Sequence, residues 1–566
     1  MKKLTLLTLI LSLMCGTPAL ATEADPVLSA LTDEMANSMK NLHLDIHPPP
    51  YYLSYTVREI DDSTLSSCLG APSVFDHSRE RFLTPVVKVG NYDLDSSFPL
   101  STRPDPSVHL PIDDNYAAVR RGVWLDTDRE YKYAVRMLEW KKAYLAANNV
   151  ANRLTDFTHE KPVVAVEALT PLVYDEKKWT VDIPKLSAVF KNYPGLQKSK
   201  VTFVARAVHR WYVNSEGSRV RETRPFYAVR IWASAQSADG MPVEDSDLIA
   251  SPQESTLPDF EMLKQRTEAL AKRVSDVRSA PKAEEYWGPV LFEDQAAAEI
   301  FATVMAPNFG FAEEYIGTED FVNPLKNRLG RKVLNKELTL FDDPSCRDKD
   351  GNLLIGTYKY DDDGMPAQKV CLVENGMLKG FVQSRIPTRH CDKSNGHSMR
   401  GHGVFSNLEL SSSKTMTKDE LMAQLSELGK DAGLDYVLVV SRMKDDYDLP
   451  SSSTKDGYND GSFVTPSHSI KPDDPIIVEK LYLKDGHREL VRGLEFTYVS
   501  LRSFRDIQAV GNDAKPYTIS HDDGVIRSFI TPSYVIGELE MTPVTPEHAA
   551  PPILPSPLQV SNEKAK

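Results

Sequence analysis

The stretch "GPVLFEDQAAAEIF", residues 288–301, carries a short apolar run into the acidic pair Glu293-Asp294, and an alanine-rich helical stretch follows. Phe292, Ala296, Ala297 and Ile300 recur at helical spacing, which predicts a face packed on a core. Glu293, Asp294 and Glu299 then read as the polar positions of the same helix.

Upstream, "DPVLSALTDEMANSMKNLHL" predicts an amphipathic helix after an Asp-Pro start, and "PPPYYLSYTVRE" a strand after a proline stop. "TDREYKYAVRMLEWKKAYLAANNVAN" predicts a long helix with Thr127 or Asp128 as its N-cap; the acidic "DTD" at 126–128 fits that capping role. Apolar and polar residues alternate on both sides of Asn214–Gly217, the pattern of a β-hairpin. A polar helix over about Pro258 to Ser279 precedes "APKAEEYWGPV", which reads as a hinge.

Downstream, Asp363-Gly364 and Asn375-Gly376 are turn signals that split "GTYKYDDDGMPAQKVCLVENGMLKGFVQSR" into strands. "TKDELMAQLSELGKDAG" is a capped helix, and "DYVLVVSRMK", "PIIVEKLYLKDG" and "RELVRGLEFTYVS" are strands. "DDYDLPSSSTKDGYNDGSF" reads as a mobile insertion. The proline-rich tail after Glu540 is not expected to form a packed element.

At 566 residues the chain exceeds a single core, so two or more domains are expected. A net charge of −14 argues against nucleic acid as the main partner, since phosphate binding needs clustered cations. "MKKLTLLTLILSLMCGTPALA" has the basic, apolar and small-residue regions of a signal peptide cleaved before Thr22, which predicts a periplasmic or extracellular location. No later segment is apolar enough to span a membrane. Processing leaves Cys68, Cys346, Cys371 and Cys391, whose irregular spacing argues against a zinc ribbon or a CxxC redox centre.

Several chemistries are excluded by their motifs. The chain has no HExxH, no GxSxG elbow and no Walker-type phosphate loop. The densest set of metal-type ligands is "RHCDKSNGHSMRGHG", with His390, Cys391, His397 and His402 in one segment. Its spacing fits no standard closed site. A polar loop in which Ser394, Asn395, Gly396 and His397 meet a peptide is the simpler expectation. The acidic run Asp361–Asp363 reads as a hairpin turn rather than a calcium site. Arg502 and Arg505 are carboxylate-binding or structural cations.

These residues resemble the TldD/PmbA family of predicted metalloproteases, once called modulators of DNA gyrase, in a secreted branch of it. The resemblance rests on "DDDGMPAQKVCLVENGMLKGFVQSR", "SNGH" and "VRGLEFTYVSLRSFRDIQAVGN", and on the N-terminal side "WLDTDREYKYAV", "DFTHEKPVVAVE", "VNSEG" and "RPFYAVRI", in the expected order. It implies a two-domain α+β architecture with mostly antiparallel sheets flanked by helices. The expected boundaries are a signal peptide over 1–21, domains over 22–280 and 281–540, and a tail over 541–566.

In the active members, as the resemblance implies, a helix carries HExxxH and a later Cys completes a zinc site that cleaves extended peptides. The active subunit works with a PmbA-type partner lacking the metal. Here Phe292 and Ala297 stand at the two histidine positions, Glu293 keeps the glutamate, and no cysteine follows "AVGN". The expectation is therefore a non-zinc pseudo-peptidase or PmbA-like subunit, dimeric, that binds peptide or supports a partner protease. No cofactor is expected. The alternatives are an active metallopeptidase whose zinc is held by a diverged set (His390, His397, His402 and His521), and a structural cell-envelope interaction protein.

Overall fold

The computed structural model describes residues 25–44, 46–97, 107–150, 153–310, 323–389, 391–444, 467, 469–520, 526–544 and 549–558. The fold is α+β with mostly antiparallel sheets. The signal sequence, the insertion read at 445–463, His390 and His521 lie outside the described residues.

The N-terminal part begins with α1 (Pro26–Asn41), capped by the Asp25 carboxylate accepting from the Leu28 amide at 2.8 Å. The strands β1 (Pro50–Cys68) and β2 (Ala71–Val89) form a long hairpin, followed by the short β3 (Val108–His109), α2 (Tyr116–Asn148), β4 (Val164–Val166) and α3 (Glu176–Ala188). The second long hairpin is β5 (Lys198–Asn214) and β6 (Arg219–Gln236), with β7 (Pro242–Ser251) and α4 (Phe260–Ser279) after it. The strand order is β3-β2-β1-β5-β6-β4, with β7 also on β6. One apolar cluster packs α1 and α2 on this sheet through Leu31, Tyr55 and Val123. A second packs α3 and α4 through Trp179, Phe203 and Leu270.

The opening stretch lies at the centre of the C-terminal part. Strand β8 (Tyr286–Phe292) runs parallel to Tyr436–Met443 and antiparallel to Tyr534–Pro543, in the middle of a seven-stranded sheet. Side chains alternate across a strand. Val290 and Phe292 therefore enter the large core shared with α5 (Asp294–Val304), while Leu291 joins the cluster under α6 (Lys418–Asp431). Against α5 lies a six-stranded sheet of Met377–Leu378, Val370–Glu374, Leu338–Asp342, Asn407–Ser412, Ile526–Thr531 and Lys515–Ser520. Burial surrounds α5 almost completely, which is the environment an alanine-rich, all-round apolar helix requires.

Four expectations need correction. Phe292 closes a strand and Glu293 is the N-cap of α5, so neither is inside the helix. Glu299, expected at a polar position, is buried. The long helix α2 starts at Tyr116 with Asn115 as its cap. Thr127 lies in its interior, where its hydroxyl donates to the Val123 carbonyl and meets the Tyr55 hydroxyl at 2.9 Å, so the acidic "DTD" caps nothing. The last strand continues to Pro543, three residues into the expected tail.

Candidate functional site

The strand–helix junction at Phe292–Asp294 is closed by packing and by local charge pairs. Phe292 is fully buried, its ring 6.1 Å from that of Phe496 and 6.0 Å from that of Tyr534. The Tyr534 hydroxyl donates to the Ala297 carbonyl at 2.8 Å, filling the space over the first turn of α5. Glu293 donates its amide to the Val440 carbonyl, and its carboxylate lies 3.1 Å from the Lys418 ammonium. Asp294, held at φ +53°, lies 2.7 Å from the Lys515 ammonium.

A zinc ion does not fit this donor set. Two of its three motif positions are a buried phenylalanine and a buried alanine, which offer no lone pair. Lysine ammonium groups already stand beside Glu293 and Asp294. Among the described residues, no three His, Cys, Asp or Glu side chains converge as a metal-holding group. Among the described residues, Cys68, Cys346, Cys371 and Cys391 are free thiols, none of them in a disulfide.

The loop chosen as a peptide-binding candidate directs its polar atoms inward. The Asn395 amide nitrogen donates to the Phe381 carbonyl at 2.8 Å, and its side-chain oxygen accepts from the Gln383 amide at 2.8 Å. The Ser394 hydroxyl accepts from the Gly396 amide at 3.2 Å. Gly396 has φ +74°, and a Cβ there would come within 2.1 Å of the Pro366 carbonyl, so only glycine fits. His397 is wedged between Asp342, 2.9 Å from its Nε2, and Asn395, whose carbonyl lies 2.9 Å from its Nδ1. Ser394, Asn395 and Gly396 thus build the loop, and only His397 of the four reaches the cleft described next.

His402 does not share a site with His397 and Glu293. Burial lowers its pKa to about 4. An imidazole with a folded pKa below its unfolded value contributes stability that is complete above about pH 6.5 and lost as pH falls toward 4. An NMR titration should therefore show His402 still neutral at about pH 5.5. A His402 midpoint near 6.5 would contradict this burial.

A recess lies between the N-terminal sheet and the C-terminal part, with a volume of about 710 Å³, within the roughly 300–1,000 Å³ of ligand pockets. Its floor follows from strand register. Arg58 pairs with Arg210 across β1 and β5, and Ile60 with Val208; on β6, Glu222 and Arg224 oppose Arg210 and Val208. Alternation puts all of them on one face. The opposite wall contributes Arg347, Tyr358, Asp361, Asp362, His397 and Arg527.

Arginines hold the wall in place. Arg58 meets the Asp362 carboxylate at 2.9 Å, and Arg210 donates to the Asp361 carbonyl at 2.6 Å and lies 3.0 Å from Glu222. Arg224 donates to the Tyr360 carbonyl at 2.5 Å. Burial opposes the charge on Asp362, yet Arg58, Arg210 and Arg224 hold its pKa below the usual carboxylate value. Asp361 accepts from the amides of Asp363, Met365 and Ser398, which makes the acidic run a turn, as expected. Sequence inspection missed the arginines because they are spread over three strands. Their legible trace is the pair of alternations Arg206-x-Val208-x-Arg210 and Glu222-x-Arg224.

Fold and cleft together define an α+β protein with a charged recess between its N-terminal sheet and its C-terminal part, and comparison with known proteins places it further. Residues 284–445 match the PmbA/TldA metallopeptidase C-terminal domain. A metalloprotease of Archaeoglobus fulgidus is 36% identical over 77 residues, 14% of this chain and 17% of that protein. A metalloprotease of Methanothermobacter thermautotrophicus is 26% identical over 193 residues, covering 34% of this chain and 40% of that one. The alignments thus span less than half the length of these curated relatives. TldE from Thermococcus kodakarensis superposes with a TM-score of 0.56 at 14% identity, covering 91% of this chain and 100% of that one. A Thermotoga maritima protein described as a candidate modulator of DNA gyrase does so at 0.57 and 15%, covering 91% and 99%. Residues 284–445 thus resemble the C-terminal domain of the PmbA/TldA metallopeptidases, and the chain shares its fold with TldE and the Thermotoga maritima protein.

Proposed function

We propose that this chain is an exported, non-zinc member of the family, a PmbA-like subunit that binds extended peptide in the cleft and supports a catalytic partner. The observation that carries this reading is the burial of Phe292 and Ala297, at 0% and 1% exposure, where the resemblance expects two zinc-binding histidines. Ligands cannot be recovered there by a rotamer change, because both positions contribute carbon to a close-packed core. Glu293 then serves as a helix-start residue paired with Lys418 rather than as a base. Export rests on the basic, apolar and small-residue N-terminal segment.

The test is elemental analysis and a peptidase assay on the untagged protein from the periplasm. Substoichiometric zinc and no cleavage of unfolded peptide are expected, with Glu293→Gln indistinguishable from the parent. One zinc per chain, with an activity that Glu293→Gln abolishes, would overturn the reading. Fractionation of cells expressing the chain with and without residues 1–21 checks export.

A further inference from the structure

The cleft floor has a charge pattern that the peptide reading leaves unexplained. Arg58 and Arg210 stand directly opposite each other across adjacent strands, and like charges so placed destabilise a sheet unless an anion lies over them. The anions present are the chain's own: Glu222 lies 3.0 Å from Arg210 and 2.8 Å from Arg224, and a loop segment adds to it. Tyr360–Asp362 crosses this face as an acidic segment, giving a carboxylate to Arg58 and main-chain carbonyls to Arg210 and Arg224. This is how a row of arginines reads an acidic peptide, with guanidinium groups serving both carboxylate and carbonyl oxygens.

The row extends past that segment. The lining of the 710 Å³ recess includes Arg58, Arg206, Arg210, Arg224, Arg347 and Arg527, six arginines against four carboxyl groups. Burial and the neighbouring Asp363 push the Asp361 pKa well above the usual range. A cationic recess in a chain of net charge −14 is a local reversal of sign. Low-dielectric walls around such a recess focus its field and raise the local concentration of oppositely charged ligand. Arg347 is exposed at the rim, where it meets an incoming ligand first.

We propose that the cleft selects peptide segments rich in aspartate and glutamate, which dock beside Tyr360–Asp362 and continue the arrangement that segment already makes. The proposal rests on the reading of the cleft as a peptide site, and its test separates the two. Three fluorescein-labelled peptides of equal length, glutamate-rich, neutral and lysine-rich, are titrated with the full mature chain and followed by anisotropy. The glutamate-rich peptide should bind tightest and weaken with salt. Arg347→Glu should weaken it roughly tenfold, through like-charge opposition at the rim, without changing the thermal midpoint or neutral-peptide binding. Equal binding of all three peptides would overturn the charge selection and leave the peptide reading standing. Binding of none would overturn both. Displacement of the glutamate-rich peptide by inorganic phosphate as readily as by unlabelled peptide would assign the cleft to a small anion and overturn the proposal.

Discussion

Arg385→Ala is expected to lower the free energy of unfolding by about 3–5 kcal/mol, the cost of removing one partner of a buried ion pair. Arg385 belongs to the C-terminal part of the chain but is fully buried against the N-terminal part. Its guanidinium meets both Glu216 carboxylate oxygens at 2.8 Å and donates to the Thr158 carbonyl at 2.5 Å. It stacks 4.1 Å from the Phe157 ring centroid, and its own carbonyl accepts from the Thr158 amide at 2.9 Å. Burial opposes its charge, but Tyr52 and Glu216 hold the guanidinium pKa above its ordinary value. Truncation removes both guanidinium contacts of Glu216 and leaves it the Tyr92 hydroxyl, at 2.8 Å. Arg385→Lys keeps the charge but loses the two-pronged geometry, so an intermediate loss is expected. Urea denaturation measures both variants. A loss below about 1 kcal/mol for Arg385→Ala would mean that this contact does not hold the two parts together.

The sequence made some elements plain and hid others, for physical reasons. The helices α1, α4 and α6 were legible because cap residues and apolar periodicity agree; Thr417 and Glu420 form a reciprocal capping box at α6. The hairpin of β5 and β6 and the turn at Asn375-Gly376 were legible for the same reason, since turn chemistry and alternation coincide. The start of α2 was misplaced because Thr127, a good cap by type, is an equally good buried donor to its own helix. The cleft was hidden because it depends on register. Residues 58, 206, 210 and 224 share a face only once three strands are aligned, and no local spacing encodes that. Four binding residues were sought in one polar loop, whose glycine and amides turned out to be occupied in making the loop. Conversely, the absence of histidine at 292 and 297, where the resemblance implies two, could be read directly from the chain.

That loss leads to the second large effect. Phe292→Ala should cost about 3–5 kcal/mol, the range for emptying a phenylalanine site in a core that cannot collapse. The neighbours of Phe292 are aromatic rings on fixed strands, Phe496 and Tyr534, and the Tyr534 hydroxyl is committed to the Ala297 carbonyl. Rebuilding the histidine pair as Phe292→His with Ala297→His should be no gentler. It places one imidazole among those rings and a second where alanine is 1% exposed, so both polar rings are buried in carbon and the one at 297 overpacks α5. Among the described residues, no cysteine or histidine joins Glu293 and Asp294 in a metal-holding group that could supply the double variant's third ligand. The nearby carboxylates of Glu293 and Asp294 are paired with Lys418 and Lys515. The lysine ends of both pairs are exposed, so each pair is worth about 0–1 kcal/mol to stability. They matter by placing positive charge where a divalent cation would have to enter. Thermal melts with and without added zinc should therefore show a large destabilisation that zinc does not reverse. A double variant that zinc stabilises stoichiometrically would show instead that the junction of β8 and α5 still opens as a metal site, and that Phe292 merely fills it.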